Sequence, residues 1–320
     1  MTVLGYHASH EQFPPSALLD WVQLAEGAGF EAAMCSDHFN PWSGAQGESG
    51  YSFAWLGAAL QATSLPMGLV CTPGYRQHPA VVAQAIATLG ELFPERIWAA
   101  FGSGQALNES ITGERWPSKE ERNRRLRECV EIIDALWAGE RVTHHGLVDV
   151  VEATLHTRPD KAPRGFAAAV TAKTARWAAD WADGLITVAH PLEEMKELVS
   201  AFRDHGGKDK ELYLQMQVSY ADSDQKALQN AHEQWGTNIF ASSVLAELPS
   251  PKSFEAAAEL VTPEQMQGPV RCSSSLEQHL EWIGAYADLG FDAIFLHNVG
   301  PNQGEFIAAF GEAVLPELIR

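Results

Sequence analysis

A chain of 320 residues that is 46% hydrophobic can bury a large core, and its length admits one or two domains. Its 41 acidic residues outnumber 22 basic ones, for a formal charge of −19, which works against binding phosphate backbones or anionic lipid. Met1–His7 shows no basic region followed by an apolar run, and no stretch approaches the roughly 20 apolar residues of a membrane span. Cys35, Cys71, Cys129 and Cys272 are scattered without a C-x-x-C pair, so the expectation is a cytoplasmic protein with free thiols and no metal site.

In chain order, short apolar runs alternate with segments of helical period. Val3–His7 is the first strand-like run. Pro14-Pro15 opens a helix whose apolar face reads Leu18, Val22, Ala25, and Gly29 stops it. Strand runs follow at Ala32–Ser36 and Met67–Thr72, and Pro79 opens a helix with Val82, Ala85, Ile86 and Leu89 on one face. Further strand runs lie at Ile97–Phe101, Gly165–Val170, Leu185–Val188 and Leu212–Ser219. Trp177 and Trp181, one helical turn apart, read as a helix face packed on the sheet. From about 222 to 273 the pattern turns irregular and helical, an insertion before the last strand. Ser274-Ser275-Leu276-Glu277 reads as a capping box for a helix that Gly290 ends, and Ala293–His297 is the last strand. Gly29-Phe30-Glu31-Ala32 and Gly290-Phe291-Asp292-Ala293 echo each other at helix-to-strand joints. Eight strands with intervening helices predict a (β/α)8 TIM barrel, one domain over residues 1–320, in preference to an open doubly wound sheet.

In such a barrel the C-terminal strand ends carry the chemistry. They read His7, Asp37-His38, Thr72-Pro73, Gly102-Ser103-Gly104-Gln105 with Asn108, Thr171, His190, Tyr220 and His297-Asn298. Ser36–Trp42 is the richest cluster. A carboxylate beside an imidazole can fix its tautomer, and an indole can cover a flat ring; a hydrogen-bonded loop with a packing Trp is the plain alternative. Gly102-Ser103-Gly104 stands between strand and helix, so its amides can face an anion or a polar ring edge. Leu107 in place of a third glycine rules out a dinucleotide fingerprint. Lys173 and Thr174, beside Thr171, can hold a phosphate or merely form a helix cap with a solvated Lys. His144-His145 reads as a solvated loop.

Leu4–Ser9, Ser36–Trp42, Thr72–Val81 and Gly102–Glu109 together resemble the luciferase-like monooxygenase superfamily, and within it the F420-dependent glucose-6-phosphate dehydrogenase group. The resemblance implies a flavin-type ring across the C-terminal mouth, a cis peptide near Leu69-Val70 bulging toward it, and dimers through outer helices. It places Asp37, Thr72 and Asn108 at cofactor-contacting positions, His38 at that of the catalytic histidine and Trp42 at that of the stabilising aromatic. The departures are specific. Gln105 stands where the dehydrogenases carry Glu, and an amide hydrogen-bonds without exchanging a proton. Val170-Thr171 replaces paired glycines near the cofactor phosphate. The three basic residues that hold the sugar phosphate fall near Pro191, Ala256 and Pro269, with Arg271 as a displaced substitute. The expectation is an FMN-dependent oxidoreductase of a small organic substrate other than glucose 6-phosphate. His38, Trp42 and Gln105 would act at the reacting end, and Asp37, Thr72, Ser103, Asn108, Thr171, Lys173 and Thr174 around the cofactor. The alternatives are F420 as cofactor, a monooxygenase fed by a partner flavin reductase, or a non-catalytic flavin-binding protein.

Overall fold

Eight short apolar runs, buried on both faces, close a parallel sheet on itself. The computed structural model describes residues 2–318; Met1, which heads the segment read above for a leader, lies outside them, as do the last two residues. The strands are β1 (Val3–Ala8), β2 (Ala32–Ser36), β3 (Met67–Cys71) and β4 (Ile97–Phe101), then β5 (Val142–His144) and β6 (Val150–Ala153). After them come β7 (Arg164–Ala168), β8 (Gly184–Val188), β9 (Glu211–Tyr220), β10 (Arg271–Ser273) and β11 (Ala293–Asn298). The barrel runs β1-β2-β3-β4-β7-β8-β9-β11 and returns to β1, every pairing parallel. The eight expected runs coincide with these strands. β5 and β6 form an antiparallel hairpin outside the barrel, where His144 and His145 meet Glu128 and Asp149. No His, Cys, Asp and Glu cluster fit for a metal occurs among the described residues.

Outward residues such as Leu4, Tyr6, Met67 and Leu214 pack against the surrounding helices, while a second cluster fills the interior. The interior is an aromatic plug: Trp98 meets Phe166 at 5.3 Å, Tyr213 at 5.1 Å and Phe295 at 5.6 Å between ring centroids. Three of these rings each lie over a glycine in register on the next strand: Phe295 over Gly5, Trp98 over Gly68, Phe166 over Gly184. A Cβ on Gly68 would sit 1.9 Å from the Trp98 ring, so only a residue without a side chain fits there. The plug closes the barrel, so any ligand belongs to the ends.

The helix from Pro15 to Ala28 stops at Gly29, whose φ of 101° lets its amide reach Ala25 O and Glu26 O. The expected capping box near 274 is corrected: Ser275 is the cap and accepts from Gln278 N at 3.2 Å, leaving Glu277 in the second helical position. The cis peptide expected near Leu69-Val70 is also corrected. No cis peptide occurs among the described residues, and both lie in ordinary ladder register with Cys35-Ser36 and Ala99-Ala100. Residues 222–273 form helices Asp224–Trp235, Ser242–Leu245 and Pro251–Ala258, and end in β10, which adds beside the tip of β9. A small core of Ala231, Met266, Val270 and Val299 fastens this segment over the mouth. No helix among the described residues is long and apolar enough to cross a membrane.

Candidate active site

The alternation that turns Gly5, Trp98, Phe166 and Phe295 inward also decides what lies one layer above them. On β1, β9 and β11 that layer holds His7, Gln215, Gln217 and His297; on β3, β4, β7 and β8 it holds Val70, Ala100, Ala168, Ile186 and Val188. The floor of the mouth is therefore polar on one side and apolar, with small side chains, on the other. Val70, Ala168 and Val188 remain partly open to solvent.

His38 stands at the boundary. Its Nδ1 lies 3.4 Å from Glu11 Oε1, within ion-pair reach though not aligned as a hydrogen bond, and its ring is 5.0 Å from Trp42. Glu11 is buried and its other oxygen accepts from Ser9 Oγ at 3.0 Å. Trp42 packs edge-on against Phe254 of the insertion, at 5.1 Å. Its amide donates to Gln46 Oε1 at 3.0 Å, and Gln46 Nε2 donates to Gln234 O at 2.9 Å. The insertion thus sets where the indole sits. Beneath, His7 and His297 pack with their rings tilted, centroids 4.3 Å apart, and Trp235 closes edge-on over His297 at 4.7 Å. Burial, reinforced by His297, His10 and His38, pushes His7 well below the ordinary imidazole range, and burial pushes His10 and His297 down to about 4. The cluster is neutral at neutral pH.

Asp37 does not serve His38 as the sequence suggested. Its Oδ2 pairs with Arg76 at 3.0 Å and accepts from Gln77 at 3.4 Å, while its Oδ1 is buried without a partner. Glu11 takes the place beside the imidazole, because the Asp37 side chain turns under the loop toward Arg76. Arg76 also donates to Asp37 O at 3.0 Å, and its backbone amide donates to Glu109 at 3.2 Å, so it ties together the loops after β2, β3 and β4. Burial pushes the Glu109 carboxyl up, against the pull of Arg76. Asn108 Oδ1 accepts from Phe39 N at 2.9 Å and Asn40 N at 3.2 Å, which fixes the backbone that carries His38.

The remaining expected residues ring the apolar side. Gly104, at a φ of 82°, brings its loop against Thr72 and Trp116; a Cβ there would meet Thr72 Cγ2 at 2.9 Å. Ser103 Oγ accepts from Lys119 Nζ at 2.5 Å, and Gln105 follows, half-buried, at the start of the short helix Ala106–Glu109. Thr171 caps the helix Ala172–Ala178, accepting from Thr174 N at 3.2 Å, and Lys173 is exposed. Arg271 is engaged elsewhere: it donates to Tyr286 Oη and to Gly268 O, and Tyr286 donates to His190 O at 2.8 Å.

A model of the luciferase-like monooxygenase family matches residues 1–293. The chain belongs to that family. Among its relatives, an F420-dependent glucose-6-phosphate dehydrogenase of Beutenbergia cavernae is 36% identical, over 99% of this chain and 98% of its own. A solved F420-dependent secondary alcohol dehydrogenase, in complex with an F420–acetone adduct, superposes with a TM-score of 0.90 at 28% identity and 98% coverage of both chains. The coenzyme F420-dependent tetrahydromethanopterin reductase of Methanopyrus kandleri shares the fold, with a TM-score of 0.80 at 19% identity and 99% coverage of both chains. The family is one of oxidoreductases, and the relatives at 28 and 36% identity are F420-dependent by name. Sequence reading missed Glu11, Arg76 and the glutamines. Glu11 lies four residues past His7, in the loop that follows β1, so following the strand ends further would have found it. Arg76 had a weaker signal, the need of a buried Asp37 for a cation.

Proposed function

We propose that this chain is an F420-dependent dehydrogenase of a small uncharged alcohol, or a reductase of the matching carbonyl compound. The observation that carries it is the divided floor with His38 on the boundary, 3.4 Å from Glu11 and 5.0 Å from Trp42. The residues present fit a flat tricyclic ring. Val70, Ala100 and Ala168 offer a low apolar bed, and the buried, unpartnered Asp37 Oδ1 is an acceptor awaiting a donor. When bound there, the deazaflavin supplies the carbon that accepts or returns hydride.

His38 takes the hydroxyl proton as hydride departs and returns it in the reverse direction. Glu11 lies beside Nδ1, which leaves Nε2 for the reactant and stabilises the imidazolium that forms. Trp42 and Trp235 keep water from the reacting carbon. An uncharged substrate is favoured because two arginines near the mouth are engaged, Arg76 by Asp37 and Glu109 and Arg271 by Tyr286 and Gly268, while Lys173 stands exposed on the other, apolar side. A sugar phosphate would lose its charge-assisted partners. FMN is the second reading, favoured by Gln105, since a neutral amide stabilises an anionic reduced flavin without proton transfer.

Native mass spectrometry of the purified protein, offered F420 and FMN in turn, tests the cofactor. Steady-state assays with propan-2-ol and glucose 6-phosphate test the substrate. The expected result is an F420 complex that turns over the alcohol; saturable turnover of glucose 6-phosphate at a higher kcat/KM overturns the substrate, and retention of FMN alone overturns F420.

A further inference from the structure

His7 and His297 lie against each other in the polar half of the mouth, their rings tilted by 34°, yet their hydrogen bonding is opposite. His297 has both nitrogens engaged. Its Nε2 meets Gln12 Oε1 at 2.7 Å and its Nδ1 meets Gln215 Nε2 at 3.4 Å. The Gln12 amide cannot turn round, because its Nε2 donates to Val299 O at 2.8 Å and to Gln234 Oε1 at 3.1 Å. Gln234 is fixed in turn by donating to Ala45 O at 3.3 Å. His297 is therefore the Nε2-protonated tautomer, and nothing is left over. His7 is 2% exposed, faces inward on β1, and neither ring nitrogen has a partner. A buried imidazole with both nitrogens unpaired carries an uncompensated desolvation cost. Such a cost persists where a ligand relieves it.

We infer that His7 is a substrate-binding residue that recognises the oxygen of a small hydroxyl or carbonyl compound held beside His38. This rests on the mouth being the substrate site. A neutral imidazole offers one N–H donor and one nitrogen acceptor, which is what a hydroxyl group, itself donor and acceptor, can satisfy at both ends. Burial and the neighbouring imidazoles of His297, His10 and His38 hold His7 uncharged, so it has no Coulombic grip on a phosphate. Glu11, 3.4 Å from His38, disfavours an anion there further. His7 thus selects for uncharged substrates, whereas His38 does the proton chemistry. His10 is as deeply buried, with both ring nitrogens likewise unpartnered, but it lies in the loop past β1, edge-on to Trp55 at 5.0 Å and beside Gly50, and not on the inward face of the barrel where His7 stands.

The test compares His7→Phe and His7→Gln with the wild type in the cofactor-loaded protein, with propan-2-ol and acetone as probes. His7→Phe is expected to raise KM for the probe at least about tenfold, the loss of roughly one buried hydrogen bond. It should change kcat less than about threefold and leave cofactor affinity within twofold, and His7→Gln should restore most of KM, because the amide keeps a donor and an acceptor. An unchanged KM in His7→Phe overturns the inference, and so does a lost cofactor affinity, which would put His7 under the ring. Imidazole nitrogen NMR of histidine-labelled protein without cofactor gives a second, independent reading. The His7 signals, identified by their absence in His7→Phe, should move on adding propan-2-ol, and signals that stay fixed overturn the inference. Failure of both F420 and FMN to bind instead overturns the functional reading, and the NMR result then decides His7 by itself.

Discussion

The two halves of the barrel mouth rest on the same aromatic plug and are built from the same kind of parallel strand, yet they are chemically opposite. Over β3, β4, β7 and β8 the floor is Val70, Ala100, Ala168 and Ile186, with no titratable group. Over β1, β9 and β11 it is His7, Gln215, Gln217 and His297, roofed by His38 and Trp235. One half offers area and flatness, which suits a ring. The other offers aimed polar atoms, which suit a reacting oxygen. The barrel thus separates apolar area from aimed polar atoms by strand.

The largest expected effect touches only the polar half. In the unfolded chain an imidazole titrates near 6.5, whereas burial holds His10 and His297 at about 4 and His7 lower still. Below pH 6.5 the unfolded state therefore takes up protons that the native state refuses. The stability these groups contribute is complete above that value and is lost as pH falls toward 4, by on the order of 2 kcal/mol each at pH 5. Urea unfolding at pH 7.5 and pH 5.0 should show a clearly lower midpoint in acid; an equal midpoint would mean these rings are not neutral and buried.

Next in size is His38→Ala. It should cut turnover by about two orders of magnitude or more while cofactor affinity stays within a few-fold. A variant that turns over normally removes His38 from the mechanism. The converse substitution sharpens the comparison. Ala168→Phe fills the apolar bed and should weaken cofactor binding by about tenfold, through the overpacking that a tight surface resists. Stability and the His38 environment should change little, as fluorescence titration and thermal unfolding would report. Equal affinity in Ala168→Phe places the ring elsewhere.

The fold was legible because each barrel strand is a short apolar run between helical segments, as in Ala32–Ser36 and Ile97–Phe101, which are buried on both faces. The mouth was half legible. His38, Trp42 and Asn108 do converge, because residues just past a strand end have nowhere else to point. What stayed hidden were pairings between residues distant in sequence. Arg76 claims Asp37 across 39 positions, and Gln12 meets His297 across 285. Ion pairs and amide chains leave no periodic trace, so adjacency misled: Asp37 precedes His38 in the chain yet binds Arg76 in space, and the partner of the imidazole is Glu11. The 171–174 segment shows the same ambiguity from the other side, since capping by Thr171 accounts for its geometry by itself.

The plug of Trp98, Phe166, Tyr213 and Phe295 has a kinetic consequence. A barrel sealed at its waist has a single doorway, and that doorway is narrowed by Trp42 and Trp235. On the function proposed above, cofactor and reactant would share it. Whichever lies deeper has to arrive first and depart last, so order of arrival becomes a matter of depth. The three glycines that let the rings close the waist thereby help to set the traffic at a mouth they never touch.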